Sequence, residues 1–369
     1  MSTAARVTAL AVALTLVAGA CGSDDNGDDA SPASTAGDPT TTAAPASTTT
    51  VPTNTVPTTT GAPTTSVAPA STIPAVTAPT IDELLAEDVV RNLAHAGGDQ
   101  DAPHSTPFAF AEAVAAGADV LELDVLLTSD GVLVVQHDDT VDKTTEESGP
   151  VADRTLAELQ ALDNAYWWYE ACWPCQDTRD QVPEDEFIYR GVRTGDTEPP
   201  AGYTADDFKV PTFREIATRF PDLPLDIEIK GSEDVAPEVA AALAAELQEL
   251  GRTESVVVVS FSDAVVDTFH ELAPDVEVSP GLDRLTAWFL QGTPLEDHFR
   301  ILQIPPFQSG IALITPPTLE RADQEGLTVW GWADDASTQE NEAFYREMVE
   351  LGIGGFIAGR PAAMEAARS

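Results

Sequence analysis

Ala118–Asp138, ADVLELDVLLTSDGVLVVQHD, carries two kinds of information at once. Val120, Leu121, Leu123, Val125 and Leu126, then Val132 to Val135, form two short β-prone runs separated by Ser129-Asp130-Gly131. That tripeptide is turn chemistry, because Gly tolerates positive φ and Asp bonds nearby backbone amides. Glu122 and Asp124 interrupt the first run two residues apart, and His137-Asp138 closes the second. Residues i and i+2 of a strand share a face. Two buried carboxylates side by side repel unless a cation lies between them. The stretch therefore reads as a metal site built on strands, or alternatively as the polar face of an edge strand.

Apolar runs of strand length recur at Val89–His95, Val120–Leu126, Val132–His137, Leu225–Lys230, Ser255–Phe261, Val276–Ser279, Ile301–Ile304, Leu327–Ala333 and Gly355–Gly359. Helical patterns lie between most of them, at Phe108–Gly117, Thr155–Leu162, Phe213–Phe220, Ala236–Leu250, Ala264–Leu272, Asp283–Gln291, Thr318–Gly326 and Thr338–Leu351. Such alternation predicts an α/β fold with a parallel sheet and helices outside, matched best by a TIM-like (β/α)8 barrel. A doubly wound open sheet is the alternative, but no G-x-G-x-x-G follows the first strand. Nine strands are one too many, and Ile301–Ile304, running into Pro305-Pro306, is the expected irregular extra. Between Val125 and Val132 there is no room for a crossover helix. A long aromatic insertion, Asp163–Val210, follows the third strand and is expected at the carboxyl-end face, where barrel active sites sit.

The amino terminus reads differently. Met1–Ala20 has one cation (Arg6), an apolar run from Val7 to Val17, and Ala18-Gly19-Ala20 before Cys21. This is the pattern of a secretory signal, with an apolar run too short to span a bilayer. It resembles a bacterial lipoprotein signal, with Ala18 where Leu is more usual. That resemblance implies cleavage before Cys21, lipidation of its sulfur, and anchoring at the outer face of the cell membrane. Residues 21–80 are rich in Thr, Ala, Pro and Ser without apolar periodicity, so they cannot bury enough surface to fold and read as an extended tether. Their Thr and Ser density suits O-glycosylation. The remaining residues, 81–369, fit one large domain. A formal charge of −44 argues against nucleic acid and anionic membrane surfaces as its partners. With Cys21 lipidated, Cys172 and Cys175 remain and are expected to pair.

The chemistry gathers at the carboxyl ends of the strands. The first ends in His95-Ala96-Gly97-Gly98, the second carries Glu122 and Asp124, the third ends in His137-Asp138, and the fourth carries Asp226-Ile-Glu228-Ile-Lys230. Two histidines, several carboxylates and one lysine thus converge on one rim. Carboxylates alone would repel an anionic substrate, by roughly 4 kcal/mol per close pair at an effective dielectric near 20. A hard cation with oxygen ligands, Ca²⁺ or Mg²⁺, reverses that sign and polarises oxygens bound to it. One imidazole can then take a proton from the nucleophile while the other protonates the leaving alkoxide.

These residues resemble the glycerophosphodiester phosphodiesterase family, whose pattern is His-Arg-Gly, Glu-Asn-Thr, Glu-x-Asp, His-Asp and Glu-x-Lys. The matches are His95, Gly97, Thr106, Glu122, Asp124, His137, Asp138, Glu228 and Lys230. The resemblance implies His95 and His137 as acid and base, and Glu122, Asp124 and Glu228 around a divalent cation. It also implies Lys230 on the phosphate, and a small glycerophosphodiester as substrate. A related phosphodiesterase acting on phospholipids, and a non-catalytic binding lipoprotein, remain alternatives. Four motifs depart from the pattern. The family Arg is Ala96, a loss worth about 10²–10³ in rate, and Glu-Asn is His104-Ser105. Trp-Thr-Val-Asn is Trp330-Gly331-Trp332-Ala333, which puts Trp332 at the substrate, and the Asp near the eighth strand is missing. Arg360 lies where barrels commonly bind phosphate and is the favoured substitute cation, ahead of Arg190 and Arg193. His104 reads as a solvated loop histidine, and His270 and His298 as surface residues.

The insertion holds Tyr166, Trp167, Trp168, Tyr169, Trp173, Tyr189 and Tyr203 around Cys172-Trp173-Pro174-Cys175. These rings either pack the insertion onto the barrel or form a lid that grips a choline or sugar headgroup, choline by cation–π contact.

Overall fold

A computed structural model describes residues 73–170, 176–232 and 234–369. The leader and tether up to residue 72, and the Cys172/Cys175 pairing, lie outside the described residues. Eight parallel strands form a nearly closed barrel: β1 Arg91–Ala94, β2 Val120–Leu127, β4 Leu225–Ile229, β5 Val256–Val259, β6 Glu277–Val278, β7 Ile301–Ile304, β10 Thr328–Trp332 and β11 Gly355–Ala358. Ladder pairing runs β6-β5-β4-β2-β1-β11-β10-β7. Across the β6/β7 seam the Ser279 hydroxyl donates to the Ile301 carbonyl at 3.1 Å.

One strand assignment is corrected. Ile301–Ile304 is a full barrel strand, paired in parallel with β10 from Thr328↔Ile301 to Gly331↔Ile304. The supernumerary strand is β3, Leu133–Val135, which pairs antiparallel with the end of β2. The reason is connection length. A parallel partner needs a crossover of a dozen or more residues, whereas a tight turn suffices for a hairpin. A second small hairpin, β8 Phe307–Gln308 with β9 Ile311–Ala312, follows β7. The pattern over Thr338–Leu351 also splits, into Ala336–Gln339 and Glu342–Leu351. Asn341 caps the second piece by accepting from Phe344 N.

Side-chain alternation sorts the barrel into an outside and an inside. Leu121, Leu123 and Val125 of β2 and Leu225, Ile227 and Ile229 of β4 face outward. They pack on Val239, Ala240, Leu243 and Leu247 of the helix Ala236–Leu250. Each such fully buried aliphatic side chain contributes about 1.5–3 kcal/mol. Inside, the lowest layer is apolar: Leu93, Val120, Val257, Ile301, Trp330 and Ile357. Helix α1, Ile81–Ala86, plugs that end with Ile81 and Leu84. A Thr80/Glu83 capping box starts α1, and Ile81 N donates to Glu254 O. The chain therefore enters at the amino-end face, opposite the carboxyl rim.

Candidate active site

Above the apolar layer the same parity turns polar. In β2 Val120, Glu122 and Asp124 share the inner face, and in β4 Asp226 and Glu228 do, with Lys230 following in the same parity just past the strand. The β2/β4 register sets Glu122 beside Asp226 and Asp124 beside Glu228. Barrel interiors are ordinarily filled by branched apolar side chains, so a layer of acids marks this end as chemical. The hairpin then brings in His137. Because β3 runs back along β2, Gln136 N donates to Asp124 O at 3.1 Å and His137 returns to the level of the acids. His95 arrives from β1, one parity step above Leu93. The His95 and His137 rings lie 5.5 Å apart, nearly perpendicular.

The loop after β1 is shaped by backbone. Ala96 (φ 45°) and Gly97 (φ 88°) both take left-handed conformations. A Cβ on Gly97 would also fall 2.9 Å from the Ala109 Cβ, so glycine is required there twice over. Ala96 carries the strain without that freedom, at a cost of order 1–3 kcal/mol. Its N–H gains a hydrogen bond, donated to Glu122 Oε2 at 2.8 Å.

Asp124 is fully buried. Lys230 Nζ lies 3.2 Å from its Oδ1 and 2.9 Å from Glu228 Oε2, while Asp124 Oδ2 accepts no hydrogen bond among the described residues. Burial alone would raise the Asp124 pKa, but Lys230, His137 and His95 bring it below the ordinary carboxylate value. Glu122 goes the other way, pushed well up by burial and then by Asp124. Two acids of one strand with opposite shifts signal a site deficient in positive charge. Among the described residues no three His, Cys, Asp or Glu side chains already converge as a ligand cage; the Lys230 ammonium stands between two of the three expected ligands. The donor set nevertheless fits a hard divalent cation: three carboxylates, oxygen only, with buried oxygens that lack donors.

Some side chains were not assigned from the sequence. Asp226 is fully buried, accepts from Gln303 Nε2 at 2.8 Å, and is pushed by burial to a pKa of about 7. Its placement two residues before Glu228 was the available signal. His104, read as solvated, is instead buried, with its ring 6.2 Å from that of His137. Burial, then His137, lowers its pKa to about 4, so it is a neutral imidazole. Asp99 lies 3.4 Å from His95 Nδ1. Burial opposes protonation of His95, yet Asp99, then Glu122 and Asp124, raise its pKa well above the ordinary value. His137 Nδ1 is 3.4 Å from Asp138 Oδ1, which Lys143 Nζ also meets at 2.8 Å.

The three candidate arginines differ. Arg360 donates to Asp101 at 2.6 Å, in the loop just beyond His95. Arg190 bonds the Tyr166 carbonyl and Glu184, and Arg193 bonds the Gln160 carbonyl and Asp206. Arg190 also stacks over Tyr166, Trp167 and Phe187 at 3.9–4.7 Å. Those ring faces are thus covered by the protein's own cation, which favours the packing role for the insertion. Tyr189, Tyr203 and Phe208 surround Phe108, and Trp168 Nε1 donates to Asp99 O at 3.1 Å, bracing the His95 loop. Trp332 ends β10, half-buried, 6.3 Å from the exposed Phe261. His270 and His298 stack on each other at 4.3 Å on the helical exterior, half-buried rather than fully exposed.

An inner rim that pairs imidazoles with crowded acids is equipment for an anionic ester, and it places the chain among the phosphoric diester hydrolases. Comparison with known proteins specifies the class: residues 95–363 match the glycerophosphoryl diester phosphodiesterase family, and the chain belongs to that family. It is 27% identical over 271 residues to a glycerophosphodiester phosphodiesterase of Caldanaerobacter subterraneus subsp. tengcongensis, covering 73% of this chain and 93% of that one. It is 28% identical over 288 residues to a glycerophosphodiester phosphodiesterase of Bacillus subtilis, covering 75% and 86%. Among solved structures, a glycerophosphodiester phosphodiesterase of Agrobacterium tumefaciens shares the fold with a TM-score of 0.54 at 24% identity, over 75% of this chain and 99% of that one. A phosphodiesterase of Oleispira antarctica, solved with the product sn-glycerol-3-phosphate, does so with a TM-score of 0.55 at 19% identity, over 77% and 98%.

Proposed function

We propose that the chain hydrolyses glycerophosphodiesters to glycerol phosphate and an alcohol, with His95 and His137 exchanging the protons and a divalent cation held by Glu122, Asp124 and Glu228. The observation that carries this reading is the pair of imidazole rings 5.5 Å apart above buried acids. Each ring has Nδ1 beside a carboxylate, Asp99 for His95 and Asp138 for His137, so protons exchanged with substrate travel through Nε2. His95, favoured in its cationic form, donates a proton to the departing alkoxide oxygen. His137 accepts one from the attacking hydroxyl, either water or the substrate's own neighbouring hydroxyl. The cation, when bound, neutralises the phosphate and polarises its oxygens. Lys230 adds positive charge at the same rim, and Arg360 supplies a further phosphate contact on exchanging Asp101 for substrate.

The exposed Phe261 beside Trp332 favours a second reading, a leaving group with an apolar part such as that of a phospholipid. The leader and Cys21 support a lipid-anchored protein at the outer face of the membrane, with residues 21–80 as tether. Incubation of the purified protein with glycerophosphocholine, glycerophosphoinositol and intact phospholipid separates these substrates. Glycerol phosphate release is expected, and His95→Gln or His137→Gln should each slow it by about 10²–10⁴. Unchanged turnover in either variant would remove that histidine from the chemistry.

A further inference from the structure

Beside His95 lies a second pair of acids, distinct from the expected cation ligands. Asp99 is 2% exposed. Its Oδ2 faces His95 Nδ1 and is also within reach of Gln100 Nε2 at 3.4 Å, while its Oδ1 accepts no hydrogen bond among the described residues. Gly359, just past β11, borders it. A Cβ built on Gly359 would lie 2.3 Å from Asp99 Oδ1, 2.7 Å from Gln100 Cγ and 3.0 Å from Glu340 Oε2. Two carboxylates from distant parts of the chain thus converge where this glycine has no side chain. Taken together, those distances put Asp99 Oδ1 and Glu340 Oε2 at most 5.3 Å apart. Glu340 is held there by Gly359 N, donating at 2.8 Å, and by the Tyr345 hydroxyl. Tyr345 in turn accepts from Arg360 N at 3.3 Å.

We propose that Asp99 and Glu340 form a proton-sharing carboxylate pair that orients His95 through its Nδ1. This assignment rests on the hydrolytic reading of His95 given above, and it makes both acids positioning residues. Two carboxylates buried this close cannot both ionise without a large electrostatic cost, so the pair retains a proton up to about pH 7. Burial and then the charge of Asp99 push Glu340 to a pKa of about 7, and Asp99 is the member whose Oδ2 faces the imidazole. An acid in that place fixes the ring's tautomer and stabilises its cation, leaving Nε2 to deliver the proton. The other charged or titratable groups near the pair and His95 are Asp101, Arg360, Tyr345, Glu122, Asp124, His104 and His137.

The test is the pH profile of glycerophosphocholine hydrolysis for wild type, Asp99→Asn and Glu340→Gln, together with an NMR titration of the His95 ring nitrogens. Asp99→Asn should lower kcat more than it alters KM, and should move the alkaline limb and the His95 titration down by about one pH unit or more. Glu340→Gln, which keeps an acceptor for Gly359 N and Tyr345, should retain kcat within about tenfold. It should still move the alkaline limb downward, since above about pH 7 it lacks the negative charge that the wild type gains. Profiles and titrations superimposable on wild type in both variants would overturn the proposal, whatever the activity. If the protein turned over no glycerophosphodiester, the hydrolytic reading would fail. The His95 titration would still decide whether the pair acts on that ring.

Discussion

Lys230→Met keeps a long apolar stem and deletes one charge from between two buried acids. Nζ stands 3.2 Å from Asp124 and 2.9 Å from Glu228, so each contact represents about 5 kcal/mol of gross attraction at an effective dielectric near 20. The net loss is smaller, because the ammonium also regains its hydration on unfolding and an abandoned acid can take up a proton. Breaking a buried ion pair by removing one partner costs about 3–5 kcal/mol. With a urea m value of about 3 kcal/mol/M, the unfolding midpoint should fall by about 1–1.7 M. The six tryptophans supply the fluorescence signal, and the measurement is made in EDTA. Added Mg²⁺ or Ca²⁺ should then restore part of the loss, about 2.7 kcal/mol at a hundredfold excess over Kd. A midpoint in EDTA equal to that of wild type, or a deficit that ignores added cation, would refute the reasoning that these acids are crowded and short of positive charge.

Two further outcomes follow from single side chains. Asp226 has a folded-state pKa of about 7 against an ordinary 3.8, so between those values the native protein holds a proton that the unfolded chain has released. The resulting stabilisation is complete below about pH 4 and is lost as pH rises through 7, a change of about 4 kcal/mol. Asp226→Asn keeps the oxygen that accepts from Gln303 and should flatten this pH dependence of the urea midpoint; a slope identical to wild type would contradict the assignment. Arg360→Ala should lower kcat/KM by about 10²-fold if the guanidinium meets phosphate, and unaltered turnover would reduce Arg360 to a partner of Asp101.

What the sequence revealed, and what it hid, divides along the range of the interactions. The Glu122/Asp124 spacing and the Asp226/Glu228/Lys230 spacing are local, and strand parity makes them legible. The hairpin strand β3 and the barrel strand β7 were exchanged because both are short apolar runs. Connection length distinguishes them, and the prolines after Ile304 mark only a loop. His104 and Asp99 give no local sign of burial, since the insertion covers them through contacts such as Trp168 Nε1 to Asp99 O and Asn164 Nδ2 to Ser105 O. The convergence of Glu340 on Asp99 depends on the missing side chain of Gly359 and on the meeting of the loops after β1 and β11. No periodicity encodes it. The aromatic insertion was legible as a choice between two roles, which only the position of Arg190 over its rings could weigh.

The account depends most on a cation joining the acids of β2 and β4. Its direct test is turnover of glycerophosphocholine by protein stripped with EDTA, then supplied with Mg²⁺ or Ca²⁺, beside the Asp124→Asn variant. Loss of activity on stripping, recovery on addition, and no recovery in the variant are predicted. Undiminished turnover by the stripped protein would contradict the cation's part in the mechanism.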